Sequence, residues 1–203
     1  LEEDQIIHVE TPGAGNMNVA LRITTQKGSI ILKQSRAYVN KYPQIPAPID
    51  RIEVENQFYE LVHTSSCSPY LPKLFGFDSV NKLLFIEDLG RSSDYQVLYQ
   101  NKVDLSQKDY VEILSFLHQL HHAPFNASQR AKFPKNLALR QLNHEHLFVY
   151  PYSEENDFDL NKIKPGLQQL AHKMRQDIAL KKAAIQLGKR YLSEDTSLLH
   201  GDY

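Results

Sequence analysis

The spacing of apolar residues changes period near residue 90, and that change restricts the fold of this chain more than any composition figure. Before it, short runs rich in β-branched residues recur: IIHVET (6–11), NVALRITT (18–25) and SIILKQS (29–35), separated by GAGNM and QKG. Runs of this length between glycine-bearing breaks predict an antiparallel meander. After the proline-rich loop KYPQIPAP, the residues from Asp50 onward place Val54, Phe58, Leu61 and Val62 at helical spacing, with Asp50 as the N-cap. LPKLFGFD and KLLFIEDLG then predict two more strands joined by a turn at 79–81. Three strands, a helix and two strands make a compact α+β lobe.

Beyond residue 90 the period is helical. LSQKDYVEILSFLHQLHHA sets Tyr110, Val111, Leu114, Leu117, Leu120 and His121 along one expected face, with Ser106 as N-cap. A second helix is expected from Pro165 to about Arg175, carrying Leu167, Leu170 and Met174, and a third from Asp177 to about Leu192. Residues 143–163 are polar and aromatic without a clear period and read as a long connection. Neither an internal repeat nor a low-complexity tract is present.

Composition excludes several function classes. At 203 residues and 41% hydrophobic content the chain can bury a core. Lys plus Arg total 23 against 24 Asp plus Glu, so no net field draws it to nucleic acid or an anionic membrane. The single cysteine, Cys67, rules out an internal disulfide or a multi-cysteine zinc site, fits a reducing cytoplasm, and reads as a small buried or half-buried residue. No run approaches the roughly 18 unbroken apolar residues of a membrane helix. LEEDQ at the start lacks the layout of a signal peptide. A soluble, cytoplasmic protein is expected, with no nucleic-acid or membrane partner. Its first residue is Leu rather than Met, so both ends read as incomplete.

The residues able to do chemistry follow one another in a meaningful order. GAGNMN comprises Gly13, Ala14, Gly15, Asn16, Met17 and Asn18. Its glycines let backbone N–H groups approach phosphate oxygens and its asparagine can donate as well, although the same loop fits an ordinary hairpin turn. A dinucleotide fold is rejected, because a strand and not a helix follows. Lys33, in the apolar strand IILKQ, either points to solvent or is a buried cation with a dedicated anion. Of Glu53, Glu55 and Glu60 on the following helix, Glu55 is the chosen partner, because it borders the apolar face of Val54 and Phe58. LLFIEDLG leads into a linker whose backbone can pair with an adenine edge, or is a simple strand exit. Asp202, in the terminal LLHGDY, can accept a proton from a hydroxyl attacking a γ-phosphorus. Glycine loop, strand lysine, helix glutamate, linker, helices and acid, in that order, describe a phosphoryl-transfer site.

Those motifs carry a resemblance over nearly the whole chain. GAGNMN is similar to the GxGNxN loop, IILKQ to the strand lysine and glutamine, PIDRIEVE to the helix start, FIEDL to the MEDL linker and LLHGDY to the HGD loop of the aminoglycoside phosphotransferase and choline kinase group. Within that group the chain most resembles the 5-methylthioribose kinases, and LRQLNHEHLFVYPY is similar to their short helix with a Leu-Phe pair. The resemblance implies a protein-kinase-like bilobal α+β fold: an N-terminal nucleotide-binding lobe over residues 1–89, then from 90–203 the first part of a helical lobe, cut at its catalytic loop. It implies ATP-dependent transfer of the γ-phosphate to a hydroxyl of a small molecule, such as methylthioribose, an amino-alcohol or an aminoglycoside. In it Lys33 holds the α and β phosphates, Glu55 pairs Lys33, and Gly13 to Asn18 cover the nucleotide. Glu87, Asp88 and Leu89 form the adenine linker, through the backbone of Glu87 and Leu89, and Asp202 is the base. Magnesium is implied, on an Asn and an Asp expected beyond Tyr203, and without them this polypeptide is expected to bind nucleotide weakly and to transfer negligible phosphate. Two departures stand out: YPQIPAPID replaces a motif with Trp before Pro-Leu, and Tyr203 stands where leucine is usual.

His118 and His122, one helical turn apart, and His144 with His146, lack the third ligand and the glutamate of a zinc site and are read as structural or exposed. GxSxG is absent. Two rival readings are a non-catalytic, pseudokinase-like nucleotide-binding module and a protein kinase. The latter is disfavoured because HGD has glycine where HRD has arginine.

Overall fold

The computed structural model describes residues 6–13, 15–91, 95, 98, 103–156 and 159–198. Ala14 and Asp202, two of the residues assigned above, lie outside them. Strands β1 (Ile6–Glu10), β2 (Val19–Thr25), β3 (Gly28–Gln34), β6 (Leu74–Asp78) and β7 (Leu83–Glu87) form one antiparallel sheet in the order β1-β2-β3-β7-β6. The expected α+β class is observed. By contact the chain divides into two compact units, Leu1–Pro134 with Ser197–Tyr203, and Lys135–Thr196.

The stretch expected to be a proline-rich loop is instead a two-stranded hairpin, β4 (Tyr38–Val39) with β5 (Tyr42–Pro46). Proline is tolerated there because both strands are edges and Pro43 and Pro46 need donate no ladder hydrogen bond. Helix α1 (Arg51–Val62) follows. Asp50 occupies its N-cap position but makes no side-chain cap; its carboxylate receives Lys82 Nζ at 2.7 Å. The turn from β6 to β7 is tied by the Asp78 carboxylate, which accepts from the N–H groups of Val80 and Asn81, and Lys82 completes it at φ 55°.

Alternation along β3 puts Ile31 and Lys33 on one face, and their partners on β7, Ile86 and Leu84, point the same way. Helix α1 covers that face: Ile52, Leu84 and Ile86 form a buried cluster, with Ile31, Tyr59, Leu74 and Phe77 packed against it. Lys33 therefore faces α1. The other end of α1 reaches a second cluster, Val62, Cys67, Phe116 and Leu120, against which Phe58, Leu71, Phe125 and Leu198 pack. Cys67 is buried.

Phe116 and Leu120 belong to α2 (Gln107–His121), whose Ser106 hydroxyl accepts from the Asp109 N–H as a cap should. The expected face holds in part: Leu120 is fully buried and Leu117 half-buried, but Tyr110, Val111 and Leu114 are exposed, and Phe116, which was not expected there, joins Leu120 in the core beside Val62. Helix α3 (Ala127–Lys132) carries a full capping box from Asn126 and Gln129.

In the second unit α4 (Leu137–His144) runs into a π-helical turn at Glu145–Val149 and a 3-10 turn at Tyr150–Tyr152, so much of the expected long connection is helical. Helices α5 (Leu167–Arg175) and α6 (Ile178–Ser193) follow, α6 capped by Asp177. Gly188 of α6 is buried under α4: a Cβ there would stand 2.8 Å from His144 Nε2 and 2.9 Å from Phe148 Cβ. Only glycine allows the two helices this approach. No helix among the described residues is long and apolar enough to cross a membrane.

Candidate functional site

Lys33 and Glu55 are joined: Lys33 Nζ donates to Glu55 Oε1 at 2.5 Å, from the middle of the sheet to the second turn of α1. Both side chains are about a quarter to a third exposed, at 30% and 24%, so the pair is partly open to solvent and not in the core. At that exposure the ion pair contributes little stability, and its consequence is geometric, a cation held in one place. The competing carboxylates are taken elsewhere. Glu53 binds Lys82, and Glu60 accepts from Asn56 Nδ2 at 2.9 Å.

The described part of the glycine loop leads directly into β2, whose first residue, Val19, pairs with Gln34, the neighbour of Lys33. Two of its carbonyls are held by the hairpin: Lys41 N–H donates to Asn16 O at 3.0 Å, and Asn40 N–H to Met17 O at 3.3 Å. A trans peptide points its C=O and the next N–H in opposite directions, so the N–H groups of Met17 and Asn18 face away from the hairpin. Among the described residues, chain neighbours aside, nothing lies within 4 Å of where a Cβ at Gly13 would stand, and at Gly15 the nearest atom is Asn18 O at 3.7 Å. The loop thus leaves open room beside its glycines. Directed amides, open space and a fixed ammonium form a donor set suited to phosphate oxygens.

Reasoning from sequence missed Arg51. Its side chain is buried and donates Nε to Asn18 Oδ1 at 2.9 Å, Nη1 to Arg36 O and Pro48 O at 2.6 and 2.8 Å, and Nη2 to Met17 O at 2.7 Å. Burial pulls the guanidinium below its usual range, while Glu55, one turn along α1, opposes that shift. A signal existed: a cation in the first turn of a helix opposes the helix dipole, a local conflict that needs a compensating reason.

The linker residues do different jobs. Glu87 N–H donates to Lys73 O at 2.8 Å, and its carboxylate accepts from Lys73 N–H at 3.1 Å, so both groups hold the start of β6. Leu89 is exposed. The Asp88 carboxylate is nearly inaccessible, gripped by Arg22 through Nε at 2.7 Å and Nη2 at 2.9 Å, with Ser29 Oγ at 2.5 Å and Gly90 N–H at 3.0 Å adding to it. Arg22 also donates to Gly90 O and Glu10. Asp88 therefore locks the linker to β2 and β3.

The Arg22 hydrogen bonds hold the Asp88 carboxyl down to about 2, against the burial that would raise it, with Ser29 and Gly90 assisting. A depressed carboxyl stabilises the fold above its unfolded value near about 3.9, and that contribution is lost as pH falls toward about 2. Asp88→Asn is expected to cost about 2 kcal/mol at neutral pH. Between pH 4 and 2 the wild-type melting temperature should fall toward that of the variant, as followed by circular dichroism. Parallel curves over that window would refute the lock.

Among the described residues no group of three or more His, Cys, Asp or Glu side chains could hold a metal ion. His118 and His122 stack at 4.3 Å between ring centres, with His122 Nδ1 bonded to the His118 carbonyl.

Comparison with known proteins gives the same direction as the motifs. No protein-family model matches the chain. It is 29% identical over 212 residues to the methylthioribose kinases of Yersinia pseudotuberculosis serotype O:1b (strain IP 31758) and Yersinia pestis (strain Pestoides F), an overlap taking in 97% of this chain and 50% of each relative. Against the methylthioribose kinase of Pectobacterium atrosepticum it is 29% identical over 213 residues, again 97% of the chain and 50% of the relative. The chain spans about half the length of these curated relatives. Its sheet and helices, together with this similarity, make the fold a kinase-like α+β fold.

Proposed function

We propose that this chain carries the nucleotide-binding part of an ATP-dependent phosphotransferase that phosphorylates a hydroxyl of a small molecule, with methylthioribose as the leading acceptor. The observation that carries the reading is the 2.5 Å Lys33–Glu55 pair, set beside a glycine loop whose amides are directed by the hairpin. Residues 1–89 form the nucleotide lobe in this reading. Lys33 lays its ammonium on the α and β phosphates, and Glu55 keeps it there. The N–H groups of the 13–18 loop cover the phosphate oxygens, while the backbone of Glu87 and Leu89 faces the adenine edge, Glu87 through its carbonyl because its N–H is engaged by Lys73. Asp88 supports this linker through Arg22.

Asp202 is assigned to the acceptor. It takes the hydroxyl proton as the oxygen forms its bond to the γ-phosphorus and the bond from that phosphorus to the β,γ-bridging oxygen breaks, releasing ADP. Magnesium, when bound with the nucleotide, offsets charge on the β and γ phosphates.

The test is ADP release by the complete protein, with ATP, magnesium and either methylthioribose, choline or an aminoglycoside, and mass spectrometry of the acceptor. Acceptor-dependent ADP release with one phosphate added to the acceptor is expected. Nucleotide binding without transfer to any of them would favour the non-catalytic module.

A further inference from the structure

We propose that Arg51 is a positioning residue for the nucleotide phosphates, tying the amides of the glycine loop and the Lys33–Glu55 pair to one helix; this rests on the phosphotransferase reading above. Five hydrogen bonds leave its guanidinium, including a long one from Nη2 to Tyr38 O at 3.4 Å, and they reach the glycine loop, the start of the hairpin and the turn before α1. Carbonyl and amide oxygens from three chain segments converge on one buried point. Only a planar fork with five N–H donors can serve them all, whereas a lysine ammonium has three donors at a single position.

Met17 O is the critical acceptor. It is held from two sides, by Asn40 N–H and by Arg51 Nη2, so the peptide plane that carries Asn18 N–H cannot turn. Arg51 Nε fixes the Asn18 side chain through Oδ1 as well, leaving its Nδ2 hydrogens as donors. One turn along α1, Glu55 holds Lys33. Residues four apart share a helix face, so Arg51 sets the amides and Glu55 sets the ammonium from a single rigid support. Displacement of that support moves both sets of donors out of register with a triphosphate that needs them together.

The experiment compares wild type, Arg51→Lys and Arg51→Met in the complete protein, varying ATP at saturating acceptor and acceptor at saturating ATP, with a circular dichroism melt of each. Arg51→Lys is expected to raise KM for ATP about tenfold and to leave KM for the acceptor within about twofold. A residue serving packing alone would lower the melting temperature but leave KM for ATP unchanged in the folded protein. Arg51→Lys keeps the charge and most of the stem, so it remains informative if Arg51→Met fails to fold. A wild-type KM for ATP in Arg51→Lys overturns the inference. A wild-type protein that binds no nucleotide and releases no ADP instead overturns the phosphotransferase reading, and the inference with it.

Discussion

Lys33→Met is expected to lower kcat/KM for phosphoryl transfer about a thousandfold and to shift the melting temperature by only a few degrees. Both halves follow from where the ammonium sits. It is partly exposed, so losing its ion pair costs the fold little, and water can reach the Glu55 carboxylate left behind. Methionine keeps the apolar stem against the α1 face of the sheet. On the proposed reading, what disappears is a preorganised positive charge for the phosphate oxygens, and removing one such donor from an active site costs about a hundred- to a thousandfold. Lys33→Arg should not rescue, because a planar guanidinium cannot occupy the point where the ammonium meets Glu55 Oε1. Glu55→Gln should act in the same direction but more weakly, about tenfold, since the cation remains and only its aim is lost. Steady-state kinetics beside thermal melts decide this. Wild-type turnover in Lys33→Met would remove Lys33 from the mechanism.

Leu120→Ala should be the most destabilising of the simple core truncations, at about 3 kcal/mol, or roughly 10 °C in melting temperature. Leu120 is fully buried among Val62, Cys67 and Phe116, where the end of α1, the helix α2 and Leu198 meet. Truncation removes the transfer energy of the lost atoms and leaves a cavity that two helices and a buried cysteine cannot close without shifting. The seat of Leu198 would loosen with it. Leu114→Ala on the same helix is the contrast: that side chain is 45% exposed and its loss should cost less than about 0.5 kcal/mol. Equal costs at the two positions would contradict the face on which α2 is packed.

That contrast shows where reading from the sequence stopped. A helix over 107–121, its Ser106 cap, and the strands flanking residues 26–27 and 79–81 were legible, because period and turn chemistry are local properties. How far along that face the burial runs was not. Tyr110, Val111 and Leu114 continue the apolar stripe of Leu120 yet are exposed, and only the presence of Val62 and Cys67 limits burial to Leu120 and adds Phe116 to it. The hairpin at 38–46 was hidden by its prolines, which argue against an inner strand and say nothing against two short edges. The π-helical turn at 145–149 was hidden for a related reason: its polar and aromatic residues show no regular period, and packing against α6 holds the turn.

The candidate site divides along the same line. From sequence alone came the residue types and their order: a glycine loop, a lysine in an apolar strand, a glutamate one helical turn beyond the start of a helix, and a linker bearing acids. Each follows from local pattern, and alternation further required Ile31 and Lys33 to share a face. Tertiary structure decided which face that was, since α1 covers only one side of the sheet, and it bore out the choice of Glu55 over Glu53, which Lys82 takes. It also recruited Arg51 and the Arg22–Asp88 lock, whose partners lie up to 68 residues away. Hydrogen bonds between segments so distant in the chain leave no periodic trace, because what selects them is the meeting of donors and acceptors in a space that exists only after the sheet and α1 have packed.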